Sequence, residues 1–209
     1  MADLGYEARK KAENQRSSGN IDGAIKTLED YLLTEPRDKP ARLLLSNILI
    51  YDKRNTDLGL IQLDAILETD PDYDDARRAL VTILKRSKKF NDETSAHFDI
   101  LVRKYPDDSD LIHSYGIFCR EQLLDFTKAE SAFKKCVELK PNNETYRLSY
   151  ASLLINDLRM YLDGKAQLEY ALELNPNNQK TIKALQRLQK RKYQSNKGPR
   201  KGITSLLSK

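Results

Sequence analysis

Five of the prolines, Pro36, Pro71, Pro106, Pro141 and Pro176, follow one another at intervals of 35 residues. A fixed period of this length marks stacked supersecondary units, none of which can bury its apolar face alone. Aligning the chain on these prolines brings out further columns. Twelve residues before each stands a small residue, Ala24, Gly59, Thr94, Ala129 or Gly164. Eight before stands a large apolar one, Leu28, Leu63, Phe98, Phe133 or Leu168, and four before an aliphatic one, Leu32, Leu67, Val102, Val137 or Leu172. Steps of four and four trace one face of a helix, and proline then closes that helix because it cannot continue one.

A second helix per unit follows from the residues after each proline. Asp and Asn stand there (Asp38, Asp72, Asp107-Asp108, Asn142-Asn143, Asn177-Asn178), residues suited to capping free backbone N–H groups. Ten residues beyond the prolines come Ser46, Val81, Gly116, Ala151 and Gln186; the first four are small enough for close helix packing. Turn signals such as Ser18-Gly19-Asn20 and Lys53-Arg54-Asn55 separate the helices of a pair. The pattern predicts paired helices over 4–17, 21–34, 39–53, 57–69, 73–87, 91–104, 108–122, 126–139, 143–157 and 161–174. An eleventh, over 178–193, has Ile182, Leu185 and Leu188 on one face and is expected to cap the last unit.

The skeleton Gly116, Ala129, Phe133, Pro141, with the run Lys-Ala-Glu-Ser-Ala-Phe-Lys-Lys-Cys-Val-Glu-Leu-Lys-Pro-Asn-Asn ending at Asn143, resembles the tetratricopeptide repeat. The resemblance covers about residues 5–190. It departs from that family in its period of 35, in the absence of Trp, and in the degenerate second and third units. We place the extra residue of each period in the loop between paired helices. The resemblance implies an all-α, right-handed superhelical solenoid of about five tetratricopeptide-like helix-turn-helix repeats plus a C-terminal capping helix. Residues 1–193 would form the solenoid and 194–209 a basic, disordered tail.

The chain offers little for catalysis. It has no Gly-rich phosphate loop, no His-x-x-x-His pair and no Cys-x-x-Cys. Acidic pairs such as Asp74-Asp75 and Asp107-Asp108 fall at helix starts and read as caps. Cys119 and Cys136 fall on the two helices of one unit at apolar columns and read as buried free thiols, a redox pair being the alternative. No catalytic residue, metal site or cofactor is expected. No run approaches the ~20 apolar residues of a membrane span, and the first residues lack a signal-peptide core, so the expected setting is cytoplasmic.

In the resembled family the first helices of successive units line the concave face, where peptides bind. Three columns map onto that face: Arg9, Leu43, Arg78, His113, Leu148 and Lys183; Glu13, Asn47, Thr82, Ile117, Ser152 and Arg187; Arg16, Ile50, Lys85, Arg120, Ile155 and Lys190. Eight of these are basic and only Glu13 is acidic, which suggests an acidic partner. The candidate groove contacts are Arg9, Asn47, Arg78, Lys85, His113, Arg120, Ser152, Lys183 and Arg187. Members that grip chaperone C-termini use a clamp of Lys and Asn donors; the matching positions here are Arg9, Glu13, Leu44, Asp75 and Ala79. An acid stands in place of a donor, so no carboxylate clamp is expected in the first three repeats.

Charge is unevenly spread. The chain has 36 Lys+Arg against 31 Asp+Glu, a formal net charge of +5. The last acidic residue is Glu173, and every charged residue from Lys180 onward is basic. A mildly acidic body therefore carries a basic end, with candidate contacts at Arg191, Lys192, Lys197, Arg200 and Lys201. Ile203, Leu206 and Leu207 stand at i, i+3, i+4 and suit docking on a partner or back onto the solenoid. Two readings result. The first is a non-catalytic interaction module, an adaptor or scaffold, that binds a peptide or protein segment in its groove. The second is an accessory factor that binds nucleic acid or a ribonucleoprotein through the basic C-terminus.

Overall fold

The computed structural model describes residues 3–85 and 87–195, with side chains through Lys190. Helices and turns, and no strand, occur among the described residues. The α-helices are α1 (Leu4–Ser17), α2 (Ile21–Thr34), α3 (Lys39–Asn47), α4 (Thr56–Thr69), α5 (Asp74–Leu84), α6 (Asn91–Lys104), α7 (Ser109–Phe118), α8 (Phe126–Leu139), α9 (Glu144–Asn156), α10 (Tyr161–Leu174) and α11 (Gln179–Ser195). They group into two compact units that divide between Lys104 and Tyr105. The first unit holds the pairs α1/α2, α3/α4 and α5/α6. The second holds α7/α8, α9/α10 and the unpaired α11, which packs on α10.

Capping explains why the helices begin where they do. Asp3, Asp38, Asp108 and Asn143 each accept a hydrogen bond from the backbone N–H three residues on, opening α1, α3, α7 and α9. Asn20, Asn55 and Asp125 do the same for α2, α4 and α8. Each such cap satisfies one of the free donors of a helix's first turn. The caps themselves recur every 35 residues, so the period read from proline is also a period of helix starts. All five spaced prolines lie in the turns that follow second helices.

The core follows the small and large columns. Ala24, Leu28, Leu63, Phe98, Ala129 and Phe133 have no exposed surface, and Gly59, Thr94, Gly164 and Leu168 are buried with them. The aliphatic column four residues before proline is buried at Leu32 and Val137 but only half-buried at Leu67, Val102 and Leu172. In repeats two to five the residue one earlier is the more deeply placed: Ile66, Leu101, Cys136 and Ala171 are fully buried. Positions i, i+4 and i+7 form the centre of an apolar stripe, and i+8 falls on its flank. Gln186, aligned with the small column of the first helices, is exposed, and among the described residues no second helix follows α11.

In two repeats the extra residue of the period is taken up at the end of the first helix and not in the loop. In the second repeat α3 runs on into a π-helical turn, Ile48–Asp52, closed by the Lys53 N–H donating to the Ile48 carbonyl. In the fourth, α7 runs on into Cys119–Leu123, and the Asp125 N–H reaches back to the Cys119 carbonyl. A widened final turn absorbs one residue without breaking the hydrogen-bond run. The third repeat departs from expectation differently: α5 ends at Leu84 rather than at 87, and a short 3-10 turn, Lys88–Phe90, precedes α6. In the other four repeats the residue before the second helix's N-cap is left-handed: Gly19, Arg54, Leu124 and Arg159 have φ of 84, 61, 54 and 62°.

Candidate partner-binding faces

In the first unit the first helices build an open depression of about 380 Å³. Tyr6, Arg9, Lys10 and Glu13 of α1 form one wall, and Pro40, Leu43, Leu44 and Asn47 of α3 the floor. Tyr73, the N-cap residue of α5, closes the far side. The Tyr6 ring is about half exposed, and Lys10 Nζ lies 5.6 Å from its centroid. Lys39 Nζ lies 5.3 Å from the Tyr73 centroid and 2.6 Å from Asp70 Oδ2. Burial, and then the Asp75 charge, push the Tyr73 hydroxyl above its ordinary pKa, so it remains a hydrogen-bond donor. The depression thus offers two rings, two leucines and one amide, with cations at its rim.

The cations assigned to this face are less available than their count suggests. Arg9 Nη1 donates to both oxygens of Asp38, at 3.2 and 3.1 Å. Asp38 also caps α3 and accepts from Tyr31 Oη at 2.7 Å, a bond that pushes the Tyr31 hydroxyl up to about 12. Gly5 lets this cluster close, since a Cβ there would lie 2.5 Å from Asp38 Oδ2. Arg16 is held by Asp52 at 2.7 Å. Asn47 lines the depression, Arg78 is half-buried on α5, and Lys85 is the C-cap residue of that helix. Ile50, expected on the groove, is instead buried and packs on Gly59.

In the second unit His113 is half-buried between repeats. Its Nε2 lies 2.8 Å from Ser149 Oγ, and its ring packs at 4.8 Å from Tyr146 and 5.6 Å from Phe133. Tyr146 Oη donates to Asp110 Oδ1 at 2.6 Å, which holds that carboxyl below its usual range, with Lys140 assisting. Burial pushes the Tyr146 hydroxyl and the Cys136 thiol each up to about 12. Cys119 and Cys136 are free and buried. Arg120 Nε donates to Asp157 Oδ2 at 2.7 Å. Ser152 is half-buried and accepts from Asn156 Nδ2 at 3.2 Å. The His113–Ser149, Tyr146–Asp110 and Arg120–Asp157 contacts tie the fourth repeat to the fifth.

α11 shows two faces. Thr181 is buried, and Ile182, Ala184, Leu185 and Leu188 are partly buried, whereas Lys180, Lys183, Arg187 and Lys190 are exposed. The last three fall at i, i+4 and i+7 and so share one side of the helix. Arg191 and Lys192 continue α11, their side chains lying outside the described residues, as do Lys197, Arg200, Lys201, Ile203, Leu206 and Leu207 altogether. Among the described residues no helix is long and apolar enough to cross a membrane, and no cluster of His, Cys, Asp and Glu is placed to hold a metal ion.

Sequence reasoning missed the two tyrosine walls of the depression. Tyr6 shares its column with Ala41, Ala76, Leu111, Tyr146 and Thr181, all buried, and alone stands half exposed; Tyr73 replaces the Asp or Asn that caps the other first helices, which was the available signal. No family model matches the sequence, and no curated protein matches it. Solved structures do. MamA from Desulfovibrio magneticus RS-1, residues 41 to the end, is 17% identical over 86% of this chain and 99% of that one, with a TM-score of 0.70. A MamA RS-1 double mutant is 16% identical over 86% and 98%, with a TM-score of 0.74. A tetratricopeptide repeat protein from Parabacteroides merdae is 15% identical over 93% and 76%, with a TM-score of 0.76. At these identities the likeness is one of fold: the chain has an all-α helical-repeat fold like that of the tetratricopeptide repeat protein it matches.

Proposed function

We propose that this chain is a non-catalytic protein–protein interaction module, an adaptor or scaffold, that holds a peptide or protein segment on the faces of its first helices. The observation that carries the reading is the depression bounded by Tyr6, Leu43, Leu44 and Tyr73. Exposed rings beside aliphatic side chains bury apolar surface of a partner at low entropic cost, and the Asn47 amide is placed to meet partner backbone. Arg78 and Lys85, with Lys183 and Arg187 in the other unit, favour an acidic segment. A chaperone-type carboxylate clamp is not part of the proposal, because Arg9 already engages Asp38 and Glu13, Leu44 and Ala79 supply no donor. The proposed setting is the cytoplasm, where buried thiols such as Cys119 and Cys136 stay reduced.

The test is capture of partners by the full chain and by Leu43→Glu and Tyr6→Ala variants. Loss of a captured partner by at least about tenfold, with the helical spectrum unchanged, is the expected result; a truncated ring at an interface hot spot costs about 2 kcal/mol or more. Undiminished capture by both variants sinks the reading. Arg78→Glu and Lys85→Glu test the acidity of the partner without touching the ion pair of Arg120.

The exposed cationic side of α11 favours a second reading, in which the basic end binds nucleic acid or a ribonucleoprotein. Four cations engaging single-stranded phosphates give a salt slope of about −3 in log K against log salt. Capture repeated with nuclease, and oligonucleotide binding measured across salt, separate the two readings.

A further inference from the structure

One edge of the second unit holds large apolar side chains in water. Leu124 is 65% exposed, Leu162 78%, Tyr161 42% and Met160 40%. All four stand at the turns that join first to second helices, Leu124 just before the α8 cap and the others at the start of α10. Leu124 also adopts the left-handed conformation that glycine fills at the matching position of the first repeat. A bulky residue held there and left exposed is a departure that packing within the unit does not account for. Two carboxylates, Glu121 and Asp163, and one cation, Arg159, are exposed on the same edge, which leaves it net acidic.

The course of α11 shows what can cover this edge. It packs against α10 after a tight turn at Asn175–Asn178, so the two helices run antiparallel. The end of α11 therefore lies beside the start of α10, and the chain leaves Ser195 at the edge that carries Met160, Tyr161 and Leu162. Residues 196–202 span up to ~25 Å, more than the ~10 Å between neighbouring packed helices. Next come Ile203, Leu206 and Leu207, preceded by Lys197, Arg200 and Lys201. Apolar and basic groups thus arrive where apolar and acidic groups wait.

We propose that residues 203–207 dock, within the same molecule, on the apolar edge formed by Leu124, Met160, Tyr161 and Leu162, with the preceding cations facing Glu121 and Asp163. Docking shields the edge from other partners and tethers the basic segment, so a ligand of that segment must first displace it. This inference stands apart from the groove reading, since none of its residues lines the first-helix faces.

The chain contains no Trp, so Leu162→Trp in the full chain is a single reporter. Docking predicts a blue-shifted emission and a several-fold smaller acrylamide quenching constant than in the same protein carrying Leu206→Asp and Leu207→Asp. Equal quenching in the two proteins counts against docking. A second arm keeps Leu162 and joins Leu124→Cys with Leu206→Cys under mild oxidation. A disulfide within the monomer, seen as a faster band on a non-reducing gel, is expected, and it decides the matter if the new ring disturbs the contact. A disulfide-linked dimer as the sole product assigns the segment to a second copy and overturns the proposal. The absence of either product overturns it as well.

Discussion

Gly59→Ala sets two opposing effects against each other at one atom. In a helix interior alanine is favoured over glycine by up to ~1 kcal/mol. Here the added Cβ would lie 2.2 Å from Ile50 Cγ1 and 2.6 Å from its Cδ1, with the Ser46 carbonyl oxygen at 3.2 Å. Ile50 is buried at the widened end of the first helix, so it has little room to retreat. Overpacking of this kind costs about 1–3 kcal/mol, and the net expectation is a loss of about 0–2 kcal/mol. Ile50→Ala alone loses about 2–5 kcal/mol through the cavity it leaves. In the double variant the new methyl enters vacated space, so the losses fall short of their sum by at least ~1 kcal/mol. Urea denaturation followed by circular dichroism measures the cycle, fitted with the two units free to unfold separately, as repeat arrays often do. Gly164 and Ile155 repeat the arrangement in the second unit at 2.4 Å and serve as an independent copy. Stabilisation by Gly59→Ala, or additivity within about 0.5 kcal/mol, refutes the account.

Phe133 is fully buried with Cys119, Ala129 and Leu153, and its ring fills the space that a Cβ on Gly116 would enter at 2.8 Å. Phe133→Ala should cost about 3–5 kcal/mol, read from the unfolding transition of the second unit; a change below about 0.5 kcal/mol would mean that the ring is not a core member. Burial, followed by the Arg77 guanidinium at 2.9 Å, depresses His97 below its ordinary value, although Glu93 stands 3.9 Å away. The unfolded chain then binds the proton more readily, so this contribution is present above about pH 6.5 and is lost as pH falls through the folded-state value. Denaturation midpoints of the first unit should drop over that window in wild type and less so in His97→Gln. Both thiols should resist Ellman's reagent at mildly alkaline pH until denaturant is added, since both are buried and Cys136 is pushed up to about 12.

The elements were legible because the same signals recur in every unit. α2, α8 and α10 span the residues that columns of small, large and aliphatic side chains define, and the caps of α2 and α8 stand at the period of the prolines. The residues that broke the pattern were the ones misplaced. A π-helical turn leaves no mark in composition, because Ile48–Asp52 and Cys119–Leu123 are ordinary helix-compatible residues whose register shifts only to keep Ile50 and Cys119 inside. The shortened α5 belongs to the repeat whose Tyr73 replaces the usual cap. The exposed apolar turns were invisible for a different reason: Leu124 and Leu162 stand outside the columns the prolines define, and only their burial shows that they lie in water.

Charge on the first-helix faces shows the same limit more sharply. Counting columns gave a basic groove, yet Arg9, Arg16 and Arg120 each hold a carboxylate from the neighbouring repeat, on Asp38, Asp52 and Asp157. The partners lie about one period along the chain, the distance over which a stacked architecture returns to the same height. A cation at a repeating column meets by geometry whatever the next unit places beside it, and a column count sums charges that the fold has already paired. Part-buried pairs of this kind align neighbouring repeats and contribute little outward field, because each cation's field is offset at short range by its acid. On the proposed reading, attraction for an acidic segment falls chiefly to the exposed side of α11, where Lys183, Arg187 and Lys190 stand in water. If the proposed groove reading holds, shape and apolar contact at the Tyr6–Tyr73 depression supply most of the selectivity, so binding there should change little with salt, whereas binding through α11 should change steeply.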